Sequence, residues 1–256
     1  NAFMASWATR RKSYFGYGFV LVVLLLVGIP LFNIFYIAPT CFDGKQNQNE
    51  TGVDCGGKCA RVCSSAFLSP RVQWAQADKI GNGIYNLGAY IVNPNLDGAA
   101  TNVEYMFRLY DKDARLIGER KGSAYLPAHK NTLVFESGVQ TGQSIPGPVT
   151  FEFTAPIAWE KTSFQNDGII VSNKTFTSEG GATSLTATLK NTTLEDYASF
   201  YVYAVLYDSN GNQVGFSRTK TDGLTRNSSA DIQFTWPTEK TGVLTTEVIP
   251  SINRIK

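Results

Sequence analysis

An uncharged stretch of 24 residues, Phe15 to Ala38, most constrains what this chain can fold into. At a helical rise of about 1.5 Å per residue it would be roughly 36 Å long, which exceeds the hydrocarbon core of a bilayer, about 30 Å thick. Asn33 is its only strongly polar side chain. The stretch therefore predicts one membrane-spanning helix over residues 14–38, after a short tail of residues 1–13.

Basic residues flank this stretch on one side only. Arg10, Arg11 and Lys12 precede it, and no lysine or arginine follows it until Lys45. Because lysine and arginine beside a span favour the cytoplasmic side, we expect a single-pass protein of the cell membrane. Its N-terminus would be cytoplasmic and its C-terminal domains extracytoplasmic. The chain opens with Asn1 and has a methionine at position 4, which leaves the true N-terminus open.

Two kinds of N-terminal processing compete with an uncleaved anchor. A cleaved signal peptide has an apolar core of roughly 7–15 residues, which is much shorter than this stretch. A lipoprotein signal would lipidate Cys41, but Pro39 and Thr40 directly before that cysteine fit such a signal badly. The sequence therefore favours an uncleaved membrane anchor.

The charge balance and the motifs argue against nucleic-acid binding and catalysis. Outside the basic flank the chain has 20 basic and 21 acidic residues, and phosphate binding needs a concentrated basic surface. His129 is the only histidine, which excludes multi-histidine metal sites. The string around Ser144 is too long for a serine-hydrolase elbow, and Glu195-Asp196 is typical of a solvated turn. We therefore predict no catalytic residue and no enzyme.

All four cysteines, Cys41, Cys55, Cys59 and Cys63, fall within 23 residues just after the predicted span. Closely spaced cysteines in an oxidising compartment predict disulfides, and four cysteines allow three pairings, which the sequence leaves open. A zinc site is the alternative. The spacing lacks paired C-x2-C motifs and lies on the wrong side of the membrane for zinc, so we predict a disulfide-stapled module over residues 39–65.

Oxygen-bearing side chains lie between the first two cysteines. Asp43, Asn47, Glu50 and Asp54 surround Gly44 and Gly52, and carboxylate and amide oxygens are ligands that calcium prefers. Such residues also occur simply because they solvate turns. They form a weak calcium candidate, and no other metal or cofactor is expected.

This cysteine-rich stretch resembles a short motif of bacterial cell-surface proteins, approximately C-x-D-G-x-x-N-x-x-E-x-x-V-D-C-G-G-x-C. The resemblance covers about 20 residues and implies an extracellular structural module without catalytic residues. The matching positions are Cys41, Asp43, Gly44, Asn47, Glu50, Val53, Asp54, Cys55, Gly56, Gly57 and Cys59.

The rest of the chain contains an internal repeat at a constant offset of 97 residues. The segment 103–111 aligns with 200–208, and Ile117-Gly118 aligns with Val214-Gly215. Both copies alternate apolar positions with the period of a strand that has one buried face. Turn residues then follow, most clearly Asn210-Gly211, which is typical of a tight hairpin.

Short strands separated by turns rich in Gly, Asn, Asp and Pro predict a mainly β fold. About seven strands in roughly 97 residues are typical of an immunoglobulin-like sandwich. We therefore expect two tandem β-sandwiches, over residues 66–157 and 158–256. Besides the two aligned segments, the predicted strands are Tyr85–Val92, Leu116–Gly122, Thr132–Glu136, Val149–Phe153, Ile169–Val171, Ser184–Leu189, Gln213–Thr219, Ala230–Thr235 and Val243–Val248.

The repeated segment resembles the FxLYD family of bacterial extracytoplasmic β-sandwich domains. The matching residues are Phe107, Leu109, Tyr110 and Asp111 in the first copy, and Leu206, Tyr207 and Asp208 in the second. The second copy has Ala204 in place of the family's phenylalanine. The resemblance, which extends to uncharacterised single-pass envelope proteins, implies fold and location but no activity. A structural explanation also accounts for the motif, with Phe and Leu in the core and Tyr and Asp at the turn.

These features predict a membrane-anchored structural or interaction protein of the bacterial cell envelope. Its partners would be the membrane and other envelope proteins, and the sequence leaves the binding partner and the oligomeric state open. The alternative is a ligand-sensing or carbohydrate-binding ectodomain, which exposed aromatics at Tyr201, Tyr203 and Tyr207 would favour. Four N-x-[ST] strings, at Asn49, Asn173, Asn191 and Asn227, are expected to be bare surface turns.

Overall fold

The computed structural model describes residues 7–31, 36, 38–59, 61–63, 66–162 and 167–253, with side chains from residue 11 onward. The chain divides into two compact units, Asn1–Cys59 and Ala60–Lys256. The first contains the apolar helix and most of the cysteine-rich module, and the second is built from antiparallel strands. The predicted fold class, mainly β with one N-terminal helix and β-sandwiches, is confirmed.

The N-terminal helix α1 (Trp7–Val23) continues through a π-helical segment at Leu24–Gly28. The part from Arg11 to Leu31 has a mean hydropathy of 2.2, and none of its apolar window is buried inside the protein. A core helix of a soluble protein would be packed against other elements. The helix is therefore a candidate membrane span, although a signal sequence has the same properties. The predicted span extends further, to residue 38, but residues 32–35 and 37 lie outside the described part of the chain.

The cysteine-rich module is held by disulfides, as predicted. Cys41 and Cys59 form one bond, with 5.7 Å between their Cα atoms. Cys55 and Cys63 are also disulfide-bonded, so none of the four cysteines is free. Because a module of this size has almost no core of its own, the covalent links supply much of what fixes its loops.

The first sandwich consists of two sheets packed on one core. Sheet A has the strand order β1-β2-β5, and sheet B has the order β4-β3-β6, with the short β7 pairing with β3. Alternate residues of β2 and β3, including Leu87, Ile91, Phe107 and Leu109, fill the space between the sheets. The strands are β1 (Arg71–Gly81), β2 (Ile84–Val92), β3 (Gly98–Tyr110), β4 (Leu116–Leu126), β5 (Asn131–Gln140), β6 (Val149–Phe153) and β7 (Glu160–Lys161).

The second sandwich repeats this arrangement. Sheet C has the order β11-β10-β13 and sheet D the order β12-β9-β8. Leu189, Leu206, Phe234 and Trp236 are among the buried residues between them. The strands are β8 (Ile169–Glu179), β9 (Ala182–Asn191), β10 (Tyr201–Tyr207), β11 (Gln213–Lys220), β12 (Ser229–Trp236) and β13 (Thr245–Ser251).

The internal repeat corresponds to equivalent strands in sheets B and C. Leu109 pairs with Gly118 in the first copy, and Leu206 pairs with Gly215 in the second. In both copies the register shifts directly after the leucine. The offset of 97 residues therefore reflects a strand pairing, with its register shift, that occurs once in each sandwich.

The strand predictions differ from the structure in several places. They omit β1 and β7, they end the strand that starts at Ile169 at Val171 although β8 continues to Glu179, and they place the last strand at 243–248 instead of Thr245–Ser251. The strand β1, with the sequence RVQWAQADKIG, is mostly half-buried or exposed and lacks a clean apolar alternation. Because β7 pairs with β3, pairing with sheet B extends past residue 157, the boundary expected from the repeat.

Each sandwich also contains a buried asparagine that sequence reasoning missed. The Nδ2 of Asn93 donates to the carbonyl oxygens of Gly98 and Pro127, both at 2.8 Å. The Nδ2 of Asn191 donates to the carbonyl oxygens of Glu195, Leu224 and Thr225. These bonds tie loops together at equivalent strand ends. Asn191 is fully buried, so this N-x-[ST] string is not the exposed turn that was expected.

A third hydrophobic core joins the two sandwiches, which the tandem arrangement did not predict. The face of sheet A that points away from sheet B packs on the face of sheet C that points away from sheet D. Tyr90, Leu133 and Phe135 meet Val205 and Phe216 there. The four sheets therefore stack in the order B, A, C, D, and β2 and β10 are buried on both faces.

Substitution of Gly88 tests the packing of this shared core. A Cβ atom at this position would lie 2.8 Å from the ring of Phe216. Phe216 is fully buried between Trp74 and Phe135, so its ring has little room to move. We expect Gly88→Ala to lower the free energy of unfolding by about 1–3 kcal/mol, measured by thermal or denaturant unfolding.

The matched control is Gly118→Ala in β4 of sheet B, where the nearest atoms to a new Cβ, on Leu109 and Val139, lie at 3.9 Å. This substitution should leave stability unchanged or raise it slightly. Equal effects of the two substitutions would contradict the close packing of Phe216 on the backbone of β2.

Candidate functional site: a cleft between the two sandwiches

The repeat-motif residues occupy structural positions. Phe107, Leu109 and Leu206 are fully buried. The aspartates that end the motif organise the following turn in the same way in both copies. Asp111 Oδ1 accepts the backbone N–H groups of Asp113 and Arg115, and Asp208 Oδ1 accepts those of Asn210 and Asn212. Tyr110 and Tyr207 stand at the strand ends.

The four calcium-candidate residues come together in one loop, where their oxygens already accept hydrogen bonds. Asp54 accepts the backbone N–H groups of Asp43 and Gly44, and Glu50 Oε2 accepts those of Asn47 and Asp54. The side chain of Asn47 donates to Asp43, and this bond is the largest cause that lowers the pKa of Asp43. The carboxylates of this loop thus already accept hydrogen bonds from within the loop. Calcium binding stays a prediction.

The sulfur atoms of Cys41 and Cys59 lie close to the Glu50 carboxylate, within 4.8 Å of one another as a group. Both sulfurs belong to the disulfide. They therefore offer no thiolate, the form of cysteine that binds zinc.

Ser144, His129 and Asp196 lie in separate loops. Thr141 and Ser144 close a turn through two hydrogen bonds between them. His129 is exposed with a positive φ of 52°, and Asp196 pairs with Arg226 at the surface, at 3.5 Å. The described part of the structure brings none of them into a nucleophile–base pair with another.

The three tyrosines considered as a carbohydrate platform are mostly used for packing. Tyr203 and Tyr207 pack against the core shared by the sandwiches. Tyr201 is 42% exposed, and the guanidinium of Arg218 lies 4.4 Å from the centre of its ring. Only one of the three rings is thus open to solvent.

A concave site of about 510 Å³, a cleft, lies between the sandwiches. The loop between β4 and β5 forms one wall, and β13 and the beginning of β8 form the other. Its lining residues include Tyr125, Lys130, Asn131, Asp167, Ile169, Val171, Tyr203, Glu247, Ile249 and Ser251. Clefts of this size at domain interfaces are common sites for small ligands.

A tyrosine from each sandwich fixes a carboxylate in this cleft. The hydroxyl of Tyr90 donates to Glu247, with oxygen–oxygen distances of 2.8 and 3.0 Å, and the hydroxyl of Tyr207 lies 3.0 Å from Glu247 Oε2. Asn131 Nδ2 in turn donates to the Tyr90 oxygen at 2.8 Å. Glu247 therefore holds the sandwiches together and has a defined orientation.

These contacts change the ionisation of the two tyrosines. Burial, and then the negative charge of Glu247, raise the pKa of both Tyr90 and Tyr207 well above the usual value for tyrosine. Both effects oppose formation of a phenolate. The two phenols therefore remain hydrogen-bond donors over the whole physiological pH range.

Two ion pairs add to these polar contacts. Lys130 Nζ lies 2.7 Å from Asp167 Oδ2 at the cleft. Asp78 and Lys240 pair between the sandwiches, and both side chains are nearly buried. The N–H of Phe216 also donates to Asp78, at 3.4 Å. Burial raises the pKa of Asp78 despite the opposing effect of Lys240, which indicates that desolvation is a substantial cost of this pair.

Comparison with known proteins gives no assignment. No family model matches the chain, and no curated protein matches it. The chain is similar to a red sea bream transglutaminase structure (13% identity, TM-score 0.23, covering 73% of this chain and 30% of that one). It is also similar to Bacteroides uniformis beta-glucuronidase (14% identity, TM-score 0.21, covering 62% of this chain and 22% of that one). The chain spans less than a third of either protein, and likenesses at these TM-scores support no argument.

Sequence reasoning missed the cleft because three distant segments build it. Tyr90, Asn131 and Glu247 have no motif or spacing in common. The one available signal was Glu247 within an apolar strand segment, TTEVIPSI. A charge there is compatible with any half-exposed strand.

The raised pKa of Tyr90 predicts a specific dependence of stability on pH. In the unfolded chain tyrosine loses its proton near pH 10, whereas in the folded protein Tyr90 keeps it to higher pH. Its contribution to stability is therefore complete below pH 10 and is lost as the pH rises further. Tyr90→Phe should make the free energy of unfolding fall less steeply above pH 10.

The measurement is denaturant unfolding at several pH values between 8 and 11.5. Tyr201→Phe, which removes the hydroxyl of the exposed tyrosine, is the control and should keep the wild-type slope. A Tyr90→Phe variant with the wild-type slope would show that Tyr90 is not shielded as described.

Proposed function

We propose that this chain is a membrane-anchored structural or interaction protein of the bacterial cell envelope. The observation that carries the proposal is the apolar helix, which is exposed along its length at the N-terminal end of a mainly β chain. Arg10, Arg11 and Lys12, at the start of the apolar segment, favour a cytoplasmic N-terminus.

The oxidised cysteines support an extracytoplasmic location for the rest of the chain. Disulfides persist in oxidising compartments and are rare in the cytosol. All four cysteines follow the helix, and all four are disulfide-bonded. The location of the disulfides thus agrees with the orientation that the basic residues favour.

The packing of the sandwiches indicates which surfaces are left for partners. Sheets A and C bury their outer faces against each other, so the outer faces of sheets B and D and the loops remain. Sheet B carries an ion network in which Arg108 contacts Glu119 and Glu152. Sheet D carries hydroxyl and amide groups, with Thr188 donating to Asp231 at 2.7 Å.

One strand edge is protected against pairing with another chain. Lys174 Nζ donates to the carbonyl oxygen of Thr246 in β13, at 2.6 Å, and Pro250 in the same strand has no N–H group. Lysine and proline at sheet edges are typical of strands that avoid edge-to-edge association. Partner contacts would therefore use side chains and loops here, rather than an added strand.

A ligand-sensing ectodomain is the second candidate function. The cleft favours it, because a cavity of about 510 Å³ with a fixed carboxylate lies between the sandwiches. Of the three tyrosines that would have indicated carbohydrate binding, Tyr203 and Tyr207 pack against the shared core.

Membrane topology tests the proposal. In cells, the chain should stay with the membrane in alkaline carbonate, and protease added to spheroplasts should digest a C-terminal tag. Replacing Arg10, Arg11 and Lys12 by glutamate should leave part of the population with the tag protected, because the charge bias that orients the span is reversed.

A chain that is shortened at its N-terminus and released in soluble form would show that the helix is a cleaved signal sequence. A tag that is protected in the unsubstituted chain would contradict the proposed orientation. Tagged proteins of known cytoplasmic and external location serve as controls for spheroplast integrity.

A further inference from the structure

Glu247 has unused capacity to accept hydrogen bonds at the cleft. Each ionised carboxylate has about four acceptor positions, and the phenols of Tyr90 and Tyr207 supply the hydrogen bonds that it receives. Glu247 is among the residues that line the cleft, and it is only half-buried. An additional donor could therefore approach Glu247 from the cleft.

The charge of Glu247 is not balanced by a cation among the described residues. Lys130 and Asp167 line the same cleft, and they neutralise each other at 2.7 Å. Of the two carboxylates in the described lining, Asp167 is thus paired with a cation, and Glu247 is in no ion pair among the described residues. A partly desolvated carboxylate without a cation is electrostatically complementary to a positively charged group.

The walls of the cleft suit an organic cation better than a hydrated metal ion. Tyr125, a half-buried residue of the lining, contributes an aromatic side chain, and aromatic rings attract ammonium and guanidinium groups. Ile169, Val171 and Ile249 contribute apolar surface for a carbon skeleton. The volume of about 510 Å³ is in the range of sites for small organic ligands.

We propose that this cleft binds a small organic cation, an amine or a guanidine, whose charged group pairs with the carboxylate of Glu247. Tyr90 and Tyr207 act as positioning residues, because their hydroxyls hold the carboxylate in place. Anionic ligands are disfavoured, since Lys130, the lysine of the described lining, is already paired with Asp167. The proposal goes beyond membrane anchoring and does not depend on the orientation of the span.

Calorimetric titration of the full chain in nanodiscs tests the proposal with agmatine, spermidine and tyramine as probes. At least one should bind, and its affinity should decrease with rising salt concentration. Glu247→Gln keeps an acceptor for the tyrosine hydroxyls but removes the charge, and should weaken binding by about tenfold or more. Asp231→Asn, which removes an exposed carboxylate on sheet D, should not change the affinity.

A second variant keeps the test decisive if Glu247→Gln disturbs the interface. Lys130→Met leaves Asp167 unpaired at the cleft, so it should make cation binding tighter. The unfolding midpoint of each variant is measured alongside. The proposal is overturned if none of the three amines binds to the folded wild-type protein, or if Glu247→Gln binds as tightly as the wild type.

Discussion

The packing of sheet A against sheet C is the interaction on which the rest of the structure depends. Phe216 of the second sandwich lies against the backbone of Gly88 in the first, and Trp74 and Phe135 enclose its ring. Since the strands on both sides are buried on two faces, separating the sandwiches would expose a core to water. We therefore expect the two sandwiches to move as one body.

Two polar contacts give this apolar interface a defined geometry. The Asp78–Lys240 pair is nearly buried, and the desolvation that such pairs cost offsets much of what they contribute to stability. The second contact joins Glu247 to Tyr90 and Tyr207 through hydrogen bonds whose donors stay protonated.

The sequence allowed the helix, the disulfides and most strands to be predicted, because each depends on a local pattern. The apolar stretch, the clustered cysteines and the alternation in segments such as Val103–Leu109 are visible without knowledge of the fold. The shared core was missed because a repeat suggests two independent domains. Its signal was present in β2, where IYNLGAYIV is apolar at consecutive positions and is thus typical of a strand buried on both faces. The buried Asn93 and Asn191 look like turn residues, and the cleft is formed by segments that are distant in sequence.

The most direct test of one rigid body is the measurement of residual dipolar couplings for backbone amides in both sandwiches of the full chain, weakly aligned in bicelles. We expect couplings from sheets A and B and from sheets C and D to fit one common alignment tensor of the same magnitude and direction. Two tensors of different magnitude or orientation would show that the sandwiches move independently, and would contradict the shared core.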